Sequence, residues 1–263
     1  MPRGAVVSVS HGGGPMPVLG DPGHAELVKS LREKVPGLLR LGTPSAPRAI
    51  VVVTAHWSTV QPTVSSGASH RLYYDYGGFP KEAYSLKYPA PGEPEVAKEV
   101  KKVLDGVGFQ TELNPERGWD HGVFIPFLLI NPAANVPIVQ VSVLRSEDPA
   151  AHLRMGRALG QLRDSNIAIV GSGFASFHNM QLMMALMMGG DGGEVASASK
   201  AFNAAVTEAV TGEEKEEGQR EKALEGWRGS RGVFDASAGR GGAFLAVVGL
   251  LWCGRWEGEG VCG

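Results

Sequence analysis

Cysteine is nearly missing from this 263-residue chain: there are two, Cys253 and Cys262, both near the end. Two thiols cannot build the disulfide framework of a small secreted fold, and neither has a histidine nearby, which argues against thiol catalysis. Long apolar runs are missing too, so no segment reads as a spanning helix. The opening Met1-Pro-Arg-Gly-Ala-Val-Val-Ser lacks the apolar stretch of a secretory signal, and a cytoplasmic location is the expectation. An excess of either charge is absent, with 27 acidic residues against 25 Lys plus Arg and a formal charge of −2. That balance excludes a nucleic-acid binder or a polybasic membrane ligand, both of which need clustered positive charge. The partners expected are small molecules, and oligomeric state is not legible.

What is present is enough apolar material for a core, at 43% of the chain, and an excess of glycine. Of 37 glycines, 26 fall in residues 1–223 and 11 in residues 224–263. That last stretch also holds three of the five tryptophans and has neither lysine nor histidine, so it reads as an atypical tail on a single catalytic domain.

Short β-branched runs alternate with segments of helical period, the pattern of an α/β fold with a central mixed sheet flanked by helices. Strands are expected at Ala5–Ser8, Ala49–Thr54, Ile138–Val143 and Ile167–Val170, apolar on both faces as central strands are. Helices are expected at His24–Val35, Pro94–Val107, Pro149–Arg163, Phe177–Met188 and Glu194–Val210. The charge-dense run Glu213–Glu221 reads as a solvated helix face or exposed loop, and the methionines of Met180–Met188 as flexible core filling.

Chemistry concentrates in the histidines. His11 follows the first strand in Ser10-His11-Gly12-Gly13-Gly14-Pro15, His56 follows the second in Thr54-Ala55-His56-Trp57, and His178 comes soon after the fourth in Gly171-Ser172-Gly173-Phe174-Ala175-Ser176-Phe177-His178-Asn179. Side chains just beyond the carboxyl ends of neighbouring strands converge on one crevice, and neutral imidazoles with open positions suit a catalytic metal. The adjacent glycines allow close approach of backbone to a ligand. Single loop histidines are common, and His24, His70 and His152 read as ordinary hydrogen-bonding residues; spacing alone leaves a metal site and a set of loop histidines both open. His121 lies in Trp119-Asp120-His121-Gly122, where Asp120 can cap a helix over the apolar Val123–Ile130 while His121 faces the crevice, a capping loop with an incidental histidine being the alternative. The glycines at 12–14 lack the Lys-Ser/Thr of a phosphate loop, and Gly171-Ser172-Gly173 has the wrong register for a nucleophile elbow.

Taken together, Ser10-His11-Gly-Gly-Gly-Pro-Met, Thr54-Ala55-His56-Trp57, Trp119-Asp120-His121-Gly122-Val-Phe-Ile-Pro and Gly171-Ser-Gly-Phe-Ala-Ser-Phe-His178-Asn179 resemble the class III extradiol ring-cleaving dioxygenases, in the 4,5-DOPA dioxygenase branch, from about residue 5 to about residue 225. The resemblance implies a mononuclear non-haem Fe(II) site, sometimes filled by zinc, and a reaction that opens a catechol ring with O2. It implies His11 and His56 as metal ligands, His178 as acid/base at the metal and in some descriptions a ligand itself, and His121 in the substrate and oxygen pocket. The chain departs from the pattern after His178, where the expected final histidine ligand is missing. Asp235 can stand in as the carboxylate of a two-His-one-carboxylate set; otherwise the tail leaves a damaged site. A zinc-dependent hydrolase using the same histidines, and an inactive relative serving as a binding protein, are the competing readings. Tyr73, Tyr74, Tyr76 and Phe79 read equally as pocket lining and as loop packing.

Overall fold

Strand β1 (Val6–Val9), helices α1 (Ala25–Glu33) and α2 (Val35–Leu38), strands β2 (Ala49–Thr59) and β3 (Thr63–Ser65), helix α3 (Pro94–Asp105), strand β4 (Glu112–Asn114), helix α4 (His121–Ile130), strand β5 (Ile138–Leu144), helix α5 (Pro149–Gly160) and strand β6 (Ile167–Ser172) follow one another along the chain. They come from a computed structural model that describes residues 2–173, 197, 200–201, 204–209 and 217–226. The strands form one six-stranded sheet in the order β1-β6-β2-β5-β3-β4. All neighbours run parallel except β3 and β5, so the single α/β domain carries the expected mixed sheet.

Alternation along the strands explains the layers. Val51, Val53, Val139, Val141, Ile167 and Ile169 face α3 and α5, packing on Val96, Val100, Leu104, Met155 and Leu159. Ile50, Val52, Ile138, Ala168 and Val170 face the other way, onto Leu31 of α1 and Phe124 and Phe127 of α4. A central strand buried on both sides cannot alternate with polar residues, which is why these runs are continuously apolar. Helix α4 is buried at nearly every position. Helices α3 and α5 begin at proline, and the side chains of Glu93 and Asp148 accept hydrogen bonds from the backbone N–H of Glu95 and Ala150.

The four expected strands and three of the expected helices are present with shifts at their ends: α1 starts after a 3-10 turn at Pro22–His24, and α5 tightens into one at Gln161–Ser165. Strands β3 and β4, three residues each, escaped sequence reading because strands that short show no periodicity. A helix over Glu217–Glu225 takes in the second half of the charged run and pairs Glu221 with Arg157 of α5. Of the helix expected at 194–210, residues 197, 200–201 and 204–209 are described and helical, whereas its other residues, the helix expected at 177–188 and nearly all of residues 224–263 lie outside the described residues. No helix among the described residues is long and apolar enough to cross a membrane.

Candidate metal centre

Strand register brings the first two histidines together. Val9 of β1 and Thr54 of β2 both pair with Ser172 of β6, and His11 and His56 each lie two residues beyond those positions. The expected strand end at Thr54 is a β-bulge instead: pairing with β5 slips between Thr54 and Ser58, and β2 runs on to Thr59. His56 therefore sits inside the irregularity, where its side chain meets His11 beyond the end of β1. Nε2 of His56 lies 3.0 Å from Nε2 of His11.

The third member is His121, the first residue of α4. Its ring centroid is 3.9 Å from that of His56 and 5.1 Å from that of His11. One ring nitrogen from each of the three lies within 4.8 Å of the others. Two nitrogens about 2.1 Å from a common ion and 90–110° apart are separated by about 3.0–3.4 Å, so the His11–His56 spacing fits a shared cation.

The outer hydrogen bonds decide which nitrogens face inward. The Ser172 hydroxyl donates to the Gly122 carbonyl, so its oxygen accepts from Nδ1–H of His11, 3.0 Å away. That leaves the lone pair of His11 on Nε2. The Gly122 carbonyl is open to Ser172 because the helical donor four residues on is Pro126, which has no N–H. Asp75 accepts Nδ1–H of His121 at 2.8 Å and the His121 backbone N–H at 3.0 Å. Its other oxygen lies 3.5 Å from Nδ1 of His56. Burial alone would push the Asp75 carboxyl up, but the hydrogen bonds and charge of His121, with a contribution from His56, hold it below its ordinary value. A carboxylate or hydroxyl behind each imidazole is the usual support of ligating histidines.

Beneath the histidines lies Asp120, with no exposed surface. Its backbone occupies the N-cap position of α4, but the expected side-chain cap is absent. The carboxylate instead accepts from Oγ1 of Thr54 at 2.8 Å, Nε2 of Gln140 at 2.6 Å and the Arg117 guanidinium at 3.0 Å. The carboxylate that caps α4 is that of Asp75, from a distant loop. Burial raises the Asp120 carboxyl, and the Asp75 charge adds to this against the Thr54 and Arg117 contacts. Arg117 is held between the rings of Trp57 and Tyr73, 5.0 and 4.9 Å from their centroids.

The other histidines among the described residues, His24, His70 and His152, make ordinary hydrogen bonds within the fold, as read. His24 accepts the Gly13 N–H and meets Asp21 at 2.6 Å, His70 faces the Gly67 and Arg117 carbonyls, and His152 accepts the Leu144 N–H. Burial lowers the His152 pKa. The glycines divide. A Cβ on Gly122 would stand 3.2 Å from the His56 ring and 2.8 Å from Thr54, so this glycine does border the centre. Gly12, with φ of +78°, is instead required by loop packing, since a Cβ there would meet Pro17 at 2.3 Å. Tyr74, Tyr76, Phe79, Tyr84 and Phe124 form a ring cluster reaching within 5.9 Å of His121. The hydroxyls of Tyr74 and Tyr76 are spent on the Leu86 and Ala83 carbonyls, so the cluster packs the loop and offers an apolar wall beside the histidines.

Of the sequence-predicted site residues, His11, His56 and His121 come together, whereas His178 and Asp235 lie outside the described residues. Sequence reading placed His121 in the pocket, not in the donor set. Asp75 was missed, having no local signal in a tyrosine-rich loop; Ser172 stood inside a quoted motif without a role.

Residues 14–226 match the family described as the catalytic LigB subunit of aromatic ring-opening dioxygenase. The chain belongs to this family. Its enzyme class is that of the aromatic ring-opening dioxygenases, in agreement with the motifs. The chain is 50% identical over 252 residues to the dioxygenase tasH of Hapsidospora irregularis, covering 92% of this chain and 76% of that protein. It is 37% identical over 169 residues to a 4,5-DOPA dioxygenase extradiol of Beta vulgaris, covering 64% of this chain and 60% of the relative. A 4,5-DOPA dioxygenase extradiol of Escherichia coli is 39% identical over 136 residues, 51% of this chain and 49% of that one. The chain thus spans about three quarters of the first relative and between half and three fifths of the other two. A crystal structure of an uncharacterized Escherichia coli K12 protein superposes with a TM-score of 0.65 at 26% identity, covering 89% of this chain and 83% of that one.

Proposed function

We propose that this dioxygenase is Fe(II)-dependent and opens the ring of a catechol with O2 by extradiol cleavage. The observation that carries the reading is the convergence of His11, His56 and His121 on one point, with Ser172 and Asp75 behind them. Fe(II) bound there would supply open positions for both reactants and a path for electrons from the catechol to O2. His11 and His56 offer Nε2 lone pairs. His121 is the third donor at hand, a place first given to His178 and Asp235; in this reading those two act from the remainder of the chain, His178 accepting and returning a catechol proton. The apolar ring wall beside His121 suits an aromatic substrate and limits water at the centre. L-DOPA, in the name of the Beta vulgaris and Escherichia coli relatives, is the first catechol to try.

The test is anaerobic reconstitution with Fe(II), then oxygen uptake with L-DOPA and simpler catechols. His11→Ala is expected to lose iron, and His178→Ala to keep iron and lose turnover. A flat oxygen trace with every catechol sinks the reading; zinc retention with ester turnover would favour a hydrolase, and no metal binding at all an inactive relative.

A further inference from the structure

We infer that Asp75 is the positioning residue that sets the donor geometry of two metal-binding histidines at once, by accepting from Nδ1 of His121 and setting its other oxygen opposite Nδ1 of His56, so that their other nitrogens turn inward. The inference rests on the metal reading above. Asp75 is far from both partners in sequence and is delivered by a short ladder: the Trp119 N–H donates to the Arg71 carbonyl at 3.0 Å, and the Tyr73 N–H to the Trp119 carbonyl at 2.7 Å. These bonds lock the 71–75 strand of loop against the residues that lead into α4. The side chain of Asp75 is 12% exposed, and each oxygen has its own histidine: Oδ1 the Nδ1 of His121 at 2.8 Å, Oδ2 the Nδ1 of His56 at 3.5 Å. An ionised carboxylate only accepts, so His121 presents Nδ1–H to it, and the negative oxygen 3.5 Å from Nδ1 of His56 favours a proton on that nitrogen as well. Nε2 of His56 then carries a lone pair, facing Nε2 of His11 at 3.0 Å. Two lone pairs at that separation repel unless a cation or a proton lies between them, so by favouring the proton on Nδ1 of His56 Asp75 leaves the place between the two Nε2 atoms to a metal.

Asp75 also caps α4 through the His121 backbone N–H, and a mere cap would be a structural role. Asp75→Asn separates the two. Asparagine caps as well as aspartate, and its oxygen still accepts both His121 donors. Its NH2 group then faces His56 with a donor where the carboxylate presented an acceptor, so His56 moves its proton to Nε2, and Nε2–H donates to His11 where the metal belongs.

Two measurements decide the matter: Zn(II) affinity by competition with a chromophoric chelator, and the imidazole tautomers of the metal-free protein by long-range 1H–15N correlation. Asp75→Asn is expected to stay folded with a Tm modestly below wild type, weaken Zn(II) about 10–100-fold, and switch His56 from Nδ1–H to Nε2–H. Asp75→Glu, an acceptor only, should keep His56 as Nδ1–H and bind Zn(II) more tightly than Asp75→Asn. Wild-type affinity in Asp75→Asn, an unchanged His56 tautomer, or equal losses in the Asn and Glu variants would overturn the inference. Failure of the wild type to bind Zn(II) or Fe(II) would count against the metal reading itself, and the tautomers would still judge Asp75.

Discussion

Replacing Asp120 by alanine should be among the costliest single changes in this chain. The carboxylate is fully buried and accepts from Thr54, Gln140 and Arg117 at 2.8, 2.6 and 3.0 Å. Its removal strands the Gln140 amide and leaves the Arg117 guanidinium, 17% exposed, without its counter-charge. Breaking a buried ion pair by removing one partner costs about 3–5 kcal/mol, and each stranded buried donor about 1–3. The sum is an upper bound: the Thr54 hydroxyl can rotate, and Arg117 keeps its stacking on Trp57 and Tyr73 and its contact with the His56 carbonyl. A loss of about 3–5 kcal/mol is the expectation, which for a chain of this size lowers Tm by roughly 10 °C. Asp120→Asn should cost less, about 1–3 kcal/mol, because it keeps the shape and one acceptor oxygen and because burial already opposes the charged form. Scanning calorimetry of the metal-free protein is the assay, since bound metal would add its own stabilisation. A fall of under about 1 kcal/mol for Asp120→Ala, or a worse result for Asn than for Ala, would refute the claim that this carboxylate holds the floor of the centre.

Gly122→Ala should lower metal affinity more than stability, because its Cβ would press on the His56 ring at 3.2 Å and on Thr54 at 2.8 Å; metal content after dialysis against a weak chelator checks this, and wild-type content counts against it. The two carboxylates should act oppositely with pH. Asp75, held below its ordinary value of 3.8, contributes stability that is present above that value and lost as pH falls through its folded pKa, so Asp75→Asn should flatten the acid limb of a Tm-against-pH curve. Asp120 is raised, so its contribution is present at low pH and lost as pH rises towards its folded pKa; an Asp120→Asn curve parallel to wild type over that window would contradict the shift.

The layers of the fold were legible because strands buried on both faces must be continuously apolar and amphipathic helices must repeat with their turn. The same logic located His11 and His56, since any residue just past the end of a parallel strand lies at one edge of the sheet. What sequence determined by itself was therefore which segments form the layers, which histidines stand at the sheet's carboxyl edge, and the family motifs they belong to. Tertiary structure alone decided which atoms meet. The bulge that holds His56 depends on its pairing with β5, and the Gly122 carbonyl reaches Ser172 through a strand about fifty residues away in sequence. Asp75 takes over the capping expected of Asp120, whose carboxylate is held instead by Thr54, Gln140 and Arg117. Local pattern encodes burial and periodicity, whereas a hydrogen bond depends on distances of a few tenths of an ångström between segments far apart along the chain.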